Sequence, residues 1–73
     1  MTMINIPLDR QVLTALEQNP HTARRNLHLE AKRGRVTLRG QVGSYYLKQM
    51  AQEVVRHVDG VHEIANELEV VWP

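Results

Sequence analysis

Residues 34–44 read "GRVTLRGQVGS", and their alternation decides the fold. Val36, Leu38, Gly40 and Val42 fall on one side of an extended chain, with Arg35, Thr37, Arg39 and Gln41 on the other. That period of two marks a strand buried on one face. Gly40 stands on the apolar side, where a glycine costs chain entropy and leaves nothing to pack. The reading assigned to it is close approach: a bare spot on the inner face lets a helix backbone lie near the sheet.

Working outward, Arg33-Gly34 makes a two-residue turn with Gly34 free to take positive φ. Before it, Leu27, Leu29 and Ala31 alternate with His28, Glu30 and Lys32, giving the other half of a hairpin. Upstream, Leu8, Val12, Ala15 and Leu16 share a helical face, with Leu13 beside it. Pro7 suits the first turn of that helix, and Asn19-Pro20 stops it. Downstream, Ser44 is the N-cap of a second helix whose stripe is Leu47, Met50, Ala51, Val54, Val55 and Val58. Asp59-Gly60 ends it, with Gly60 as the left-handed residue past the last turn and His57 at the negative end of the dipole. Finally Ile64, Asn66, Leu68 and Val70 alternate with Glu63, Ala65, Glu67 and Glu69.

The order is α-β-β-α-β in one α+β domain spanning residues 1–73, with a core of about residues 8–71. A right-handed crossover sets the third strand parallel to the second, giving a three-stranded mixed sheet. Both helices cover the apolar face, and the other face is left open and polar.

Composition narrows the function. The chain has 73 residues, no cysteine, no phenylalanine and a net charge of +1. A core this small supplies only about 3–5 kcal/mol of net stability, so a partner or self-association matters to it. Charge is uneven: residues 1–43 carry seven of the nine Lys/Arg against three acids, and residues 44–73 carry two against five. Any electrostatic footprint is therefore local. His21, His28, His57 and His62 lack ligand spacing, so no metal site and no cofactor are expected. No Ser-His-Asp order, glycine-rich phosphate loop or paired carboxylates point to catalysis, and no enzyme is expected. The polar face offers no lining for a small molecule. The N-terminus has neither a charged n-region nor a long apolar run. A cytoplasmic location, peripheral to membrane on docking, is expected. An export signal already removed would place the chain in the periplasm instead.

The G-x-V-T-L-x-G-x-V hairpin from Gly34 to Val42, together with the G-V-x-x-I-x-N-x-L-x-V run from Gly60 to Val70, closely resembles the BON domain. That resemblance implies a small bacterial αββαβ module without a catalytic motif. Such modules occur in envelope proteins that respond to osmotic stress, and they bind phospholipid or other membrane-associated partners.

The candidate anion-binding residues are Arg24, Arg25, Lys32 and Arg33, joined by Tyr45 as an interfacial ring. Arg35 and Arg39 belong more readily to cross-strand ion pairs with Glu63, Glu67 and Glu69. Gly34, Gly40, Gly60 and Asn66 are assigned structural roles, Asn66 by a hydrogen bond to a neighbouring turn or strand end. Two partners stand level: an anionic phospholipid surface, and a protein or second copy meeting an exposed sheet edge. Nucleic acid ranks below both, because the sheet lacks a stacking aromatic pair and there is no G-x-x-G clamp.

Overall fold

The computed structural model describes residues 6–22 and 27–71. Its elements are α1 (Leu8–Gln18), β1 (Leu27–Lys32), β2 (Arg35–Val42), α2 (Tyr45–Arg56) and β3 (Glu63–Val70). The sheet order is β1-β2-β3, antiparallel between β1 and β2 and parallel between β2 and β3. This is the mixed-sheet α+β arrangement that the periodicities imply. Val12 and Leu16 of α1, Ala51 and Val55 of α2, Val36, Leu38 and Val42 of β2, and Leu68 of β3 form one buried cluster. Both helices therefore lie on the same face.

Helix boundaries follow local chemistry. Ser44 accepts from the Leu47 amide at 3.2 Å, the N-cap bond that α2 needs. Pro7 sits one position earlier than expected, at the N-cap of α1 rather than inside its first turn. Asn19 turns extended before Pro20 and ends α1. The Thr22 hydroxyl then donates to the Leu16 carbonyl and satisfies one of the orphan acceptors at that helix end. Helix α2 stops sooner than Gly60 suggested. His57 is its C-cap, and Gly60 (φ +95°) occupies a separate tight turn closed by Val61 N to Val58 O at 3.3 Å.

Two glycines have physical reasons that periodicity alone did not supply. Gly40 takes φ +138°, a backbone conformation that side-chain-bearing residues rarely adopt, so the constraint at that position is on the chain itself. Gly34 takes φ +83°, and a Cβ added there would strike the His62 ring and come within 3.2 Å of the Gly60 carbonyl. Its own carbonyl accepts from the His62 amide at 2.7 Å and the Glu63 amide at 3.2 Å. The hairpin turn is thus fastened to the segment that enters β3.

Asn66, on the inner side of β3, is hydrogen-bonded as a half-buried amide must be. Its partners are neither a turn nor a strand end, because the inner face of β3 lies against α2. Its Nδ2 donates to the Lys48 carbonyl at 3.0 Å and to Gln52 Oε1 at 3.1 Å, both on α2. Its Oδ1 accepts from the Leu68 amide at 3.2 Å. One side chain therefore ties helix to sheet.

Four substitutions grade these constraints by urea denaturation. Gly34→Ala and Gly40→Ala should each cost about 1–3 kcal/mol through positive-φ strain. Gly43→Ala meets nothing within 4 Å and should change stability by no more than about 0.5 kcal/mol. A Gly40→Ala midpoint equal to wild type would refute the backbone reading. Asn66→Ala should cost about 1–3 kcal/mol by stranding the groups it pairs, and a neutral result would show that water replaces it freely.

Candidate functional site

Charge on the open face is largely neutralised by the β2–β3 register. Arg35 stands opposite Glu63 and Arg39 opposite Glu67. The corresponding ion pairs are 3.2 Å and 3.1 Å long. All four side chains are more than half exposed, so each pair contributes at most about 1 kcal/mol. Their larger effect is electrostatic. Two of the six basic residues in the N-terminal cluster are cancelled where they stand.

Lys32 and Arg33 are not. Both are exposed, and among the described residues neither forms an ion pair. Lys32 ends β1 opposite Arg35, and Arg33 is the first residue of the two-residue turn. Arg33 adopts φ 52° and is the one non-glycine residue with positive φ among those described. That left-handed conformation costs an ordinary side chain roughly 1–2 kcal/mol and is far easier for Asn or Gly.

Three segments converge beside this turn. The α2–β3 connection is bound to Gly34, and the Leu8 side chain of α1 reaches within 3.4 Å of the Cβ position of Gly60. Ile6, two residues before Leu8, is 51% exposed at this end of the molecule. His62 is also exposed there, its ring against Gly34. Neither Ile6 nor His62 carries a sequence signal of its own, since the approach of Leu8 to Gly60 and of His62 to Gly34 depends on long-range contacts. The site is not uniformly basic: Asp9 and Glu30 line the same shallow depression as Lys32.

The remaining candidates sit elsewhere. Tyr45 is 66% exposed but follows the far end of β2. Eight strand residues separate it from Arg33, roughly 25 Å of extended chain. Lys32 and Arg33 therefore do not share a patch with Tyr45. Tyr46 meets His21 edge-on, with ring centroids 5.4 Å apart, and covers the junction of the α1 exit with α2. Arg24, Arg25 and the penultimate Trp72 lie outside the described residues.

A second depression of about 370 Å³ lies on the open face, lined by His28, Leu29, Glu30, Thr37 and Arg39. It is wide open, and the Arg39 guanidinium is already engaged by Glu67. Among the described residues no three His, Asp or Glu side chains converge as metal ligands. No helix among them is long and apolar enough to cross a membrane.

The described surface thus presents one exposed, unpaired basic turn on a scaffold whose other sheet cations are paired. Comparison with curated proteins finds none that matches the chain. The family model of the BON domain matches residues 7–71 and so takes in both glycine-anchored runs, all three strands and both helices. By that coverage the chain belongs to the BON domain family, a family of binding modules.

Proposed function

We propose that this chain is a non-catalytic BON-type module that docks on anionic phospholipid through its hairpin turn, with Lys32 and Arg33 as the cations that meet the head groups. The observation that carries this reading is the state of Arg33. It is exposed and without an ion pair among the described residues, and it is held at a positive φ where Asn would serve the turn better. An arginine in that place is a local cost that folding does not explain, and strain of that kind is stored at functional positions. The contrast with Arg35 and Arg39 sharpens the argument. Residues of the same type two and six positions away have their charges matched by glutamates, whereas the turn keeps its charge available.

The chemistry is simple. Each cation near an anionic surface contributes about 1 kcal/mol, and the attraction is screened within a Debye length. Ile6, apolar and half exposed at the same end, adds a side chain able to enter the interfacial region. Arg24 and Arg25 are proposed as further contributors from the sequence alone. Tyr45 would act at a separate point of contact.

Co-sedimentation with vesicles of anionic and of neutral phospholipid at low salt tests the reading. Wild type should pellet with the anionic vesicles only, and added salt should release it. Lys32→Gln with Arg33→Asn removes both charges while giving the turn a residue it prefers. Loss of two contributions of about 1 kcal/mol each should weaken binding roughly 30-fold, with the thermal midpoint unchanged or raised. Equal binding to both vesicle types, or an unaffected double variant, would overturn it.

A further inference from the structure

The two edges of the sheet are not equivalent. Along β3, the Val71 amide donates to Val42 O and the Glu63 amide to Gly34 O. Odd-numbered residues of β3 thus bond to β2, and even-numbered residues face outward. The outward Leu68 amide is already taken by Asn66 Oδ1, so this edge is blocked near its centre. Its open-face side chains are Glu63, Ala65, Glu67 and Glu69. Antiparallel self-pairing there sets glutamate against glutamate.

The β1 edge differs on both counts. Lys32 and Arg35 flank a two-residue turn and so form a hydrogen-bonded pair, as do the alternate pairs Glu30–Thr37 and His28–Arg39. The amides and carbonyls of Leu27, Leu29 and Ala31 therefore point away from β2. No hydrogen bond to them is found among the described residues outside the ladder. There is no proline or bulge in this edge, and Leu13 of α1 lies exposed beside Leu27 and Leu29 in a shallow groove.

We infer that β1 pairs with β1 of a second copy of this chain, antiparallel and centred on Leu29, to make a continuous six-stranded sheet. The register follows from self-complementarity. Centred on Leu29, Leu27 faces Ala31 of the second copy and Leu29 faces its own counterpart, so every outward amide and carbonyl of these three positions is matched. The intervening pairs set His28 against Glu30 of the second copy, twice, as hydrogen-bond donor and acceptor. Shifting the centre to Ala31 leaves Leu27 unmatched and carries Leu29 opposite Arg33. The two Leu13 side chains, one from each α1, are brought to the same junction. Charge and hydrogen bonding thus select this edge, this occupant and this register, whether or not the turn meets lipid.

Sedimentation equilibrium of the whole chain over a concentration series is the test. The mass should rise from 8.4 kDa toward twice that value. Ala31→Pro removes an outward amide, a change an edge strand tolerates, and should hold the chain monomeric at concentrations where wild type is dimeric. His28→Glu leaves the monomer intact, because residue 28 faces Arg39, but opposes Glu30 across the junction and should also give monomer. His28→Glu with Glu30→His restores the pair and should restore the dimer. Retained amide-proton dispersion in the NMR spectrum confirms that each variant is folded, and if Ala31→Pro unfolds, the two His28 variants decide alone. A wild type monomeric to its solubility limit overturns the inference. So does a dimer indifferent to His28→Glu, a swap that fails to restore it, or a monomer whose β1 edge instead captures an extended foreign peptide.

Discussion

The bifurcated acceptor at Gly34 is the contact on which the rest of the arrangement depends. A parallel pair has no turn of its own to set its register, and the β2–β3 crossover runs through twelve residues of helix. The carbonyl of Gly34, bonded to the amides of His62 and Glu63, sets where β3 begins relative to β2. A slip of one residue would turn every side chain of β3 to the opposite face. Leu68 would leave the core, Asn66 would lose α2, and the glutamates would no longer meet Arg35 and Arg39. The bare backbone of Gly34 makes the contact possible, since a Cβ would displace His62 and crowd Gly60. The glycines that open the two family motifs lie close enough in space that a side chain on the first would crowd the carbonyl of the second.

From that register follows a division of labour among the charges and the edges. Pairing on the open face cancels the central arginines and leaves a cationic turn. On the inner face the same register presents Asn66 to α2, and the amide that holds the helix also closes the outer edge of β3. An exposed edge invites uncontrolled strand addition, and natural sheets guard against it. Here one edge carries its guard and an acidic row, while the other keeps its outward groups and a self-matching sequence. With a core that small, association through the second edge would also add directly to stability by mass action.

Elements, order, strand directions and the two buried helix faces were legible in the sequence because each rests on periodicity or on a cap within a few residues. That Arg39 meets the row Glu63, Glu67 and Glu69 was legible for the same reason, once parallel order was fixed, and the register selects Glu67. What escaped required distant contacts or backbone angles. The face on which Gly40 lies can be counted, but its φ of +138° cannot. The bond from Asn66 to Lys48 spans eighteen positions, and no local pattern announces it. Residue type alone groups Tyr45 with Lys32 and Arg33, yet the intervening strand carries it to the other end of the sheet. Leu8 comes beside Gly60 only through long-range packing.

The two surfaces read from this geometry are physically separable. A two-fold axis through Leu29 stands perpendicular to the sheet, so the β1 strands of two copies run in opposite directions and their hairpin turns point apart. Each Arg33 stands four residues along the strand from the axis, which puts the two turns about 27 Å from one another along the strands. A flat surface approached end-on can then touch one turn and not its counterpart. Linked sites strengthen binding only where both can engage at once. Pairing through β1 therefore adds no second cationic turn to an end-on contact, whereas a surface laid along the open face meets both turns but also the neutralised arginine–glutamate rows on either side of the junction. Orientation, not the number of cations, decides whether assembly and docking reinforce each other in this domain.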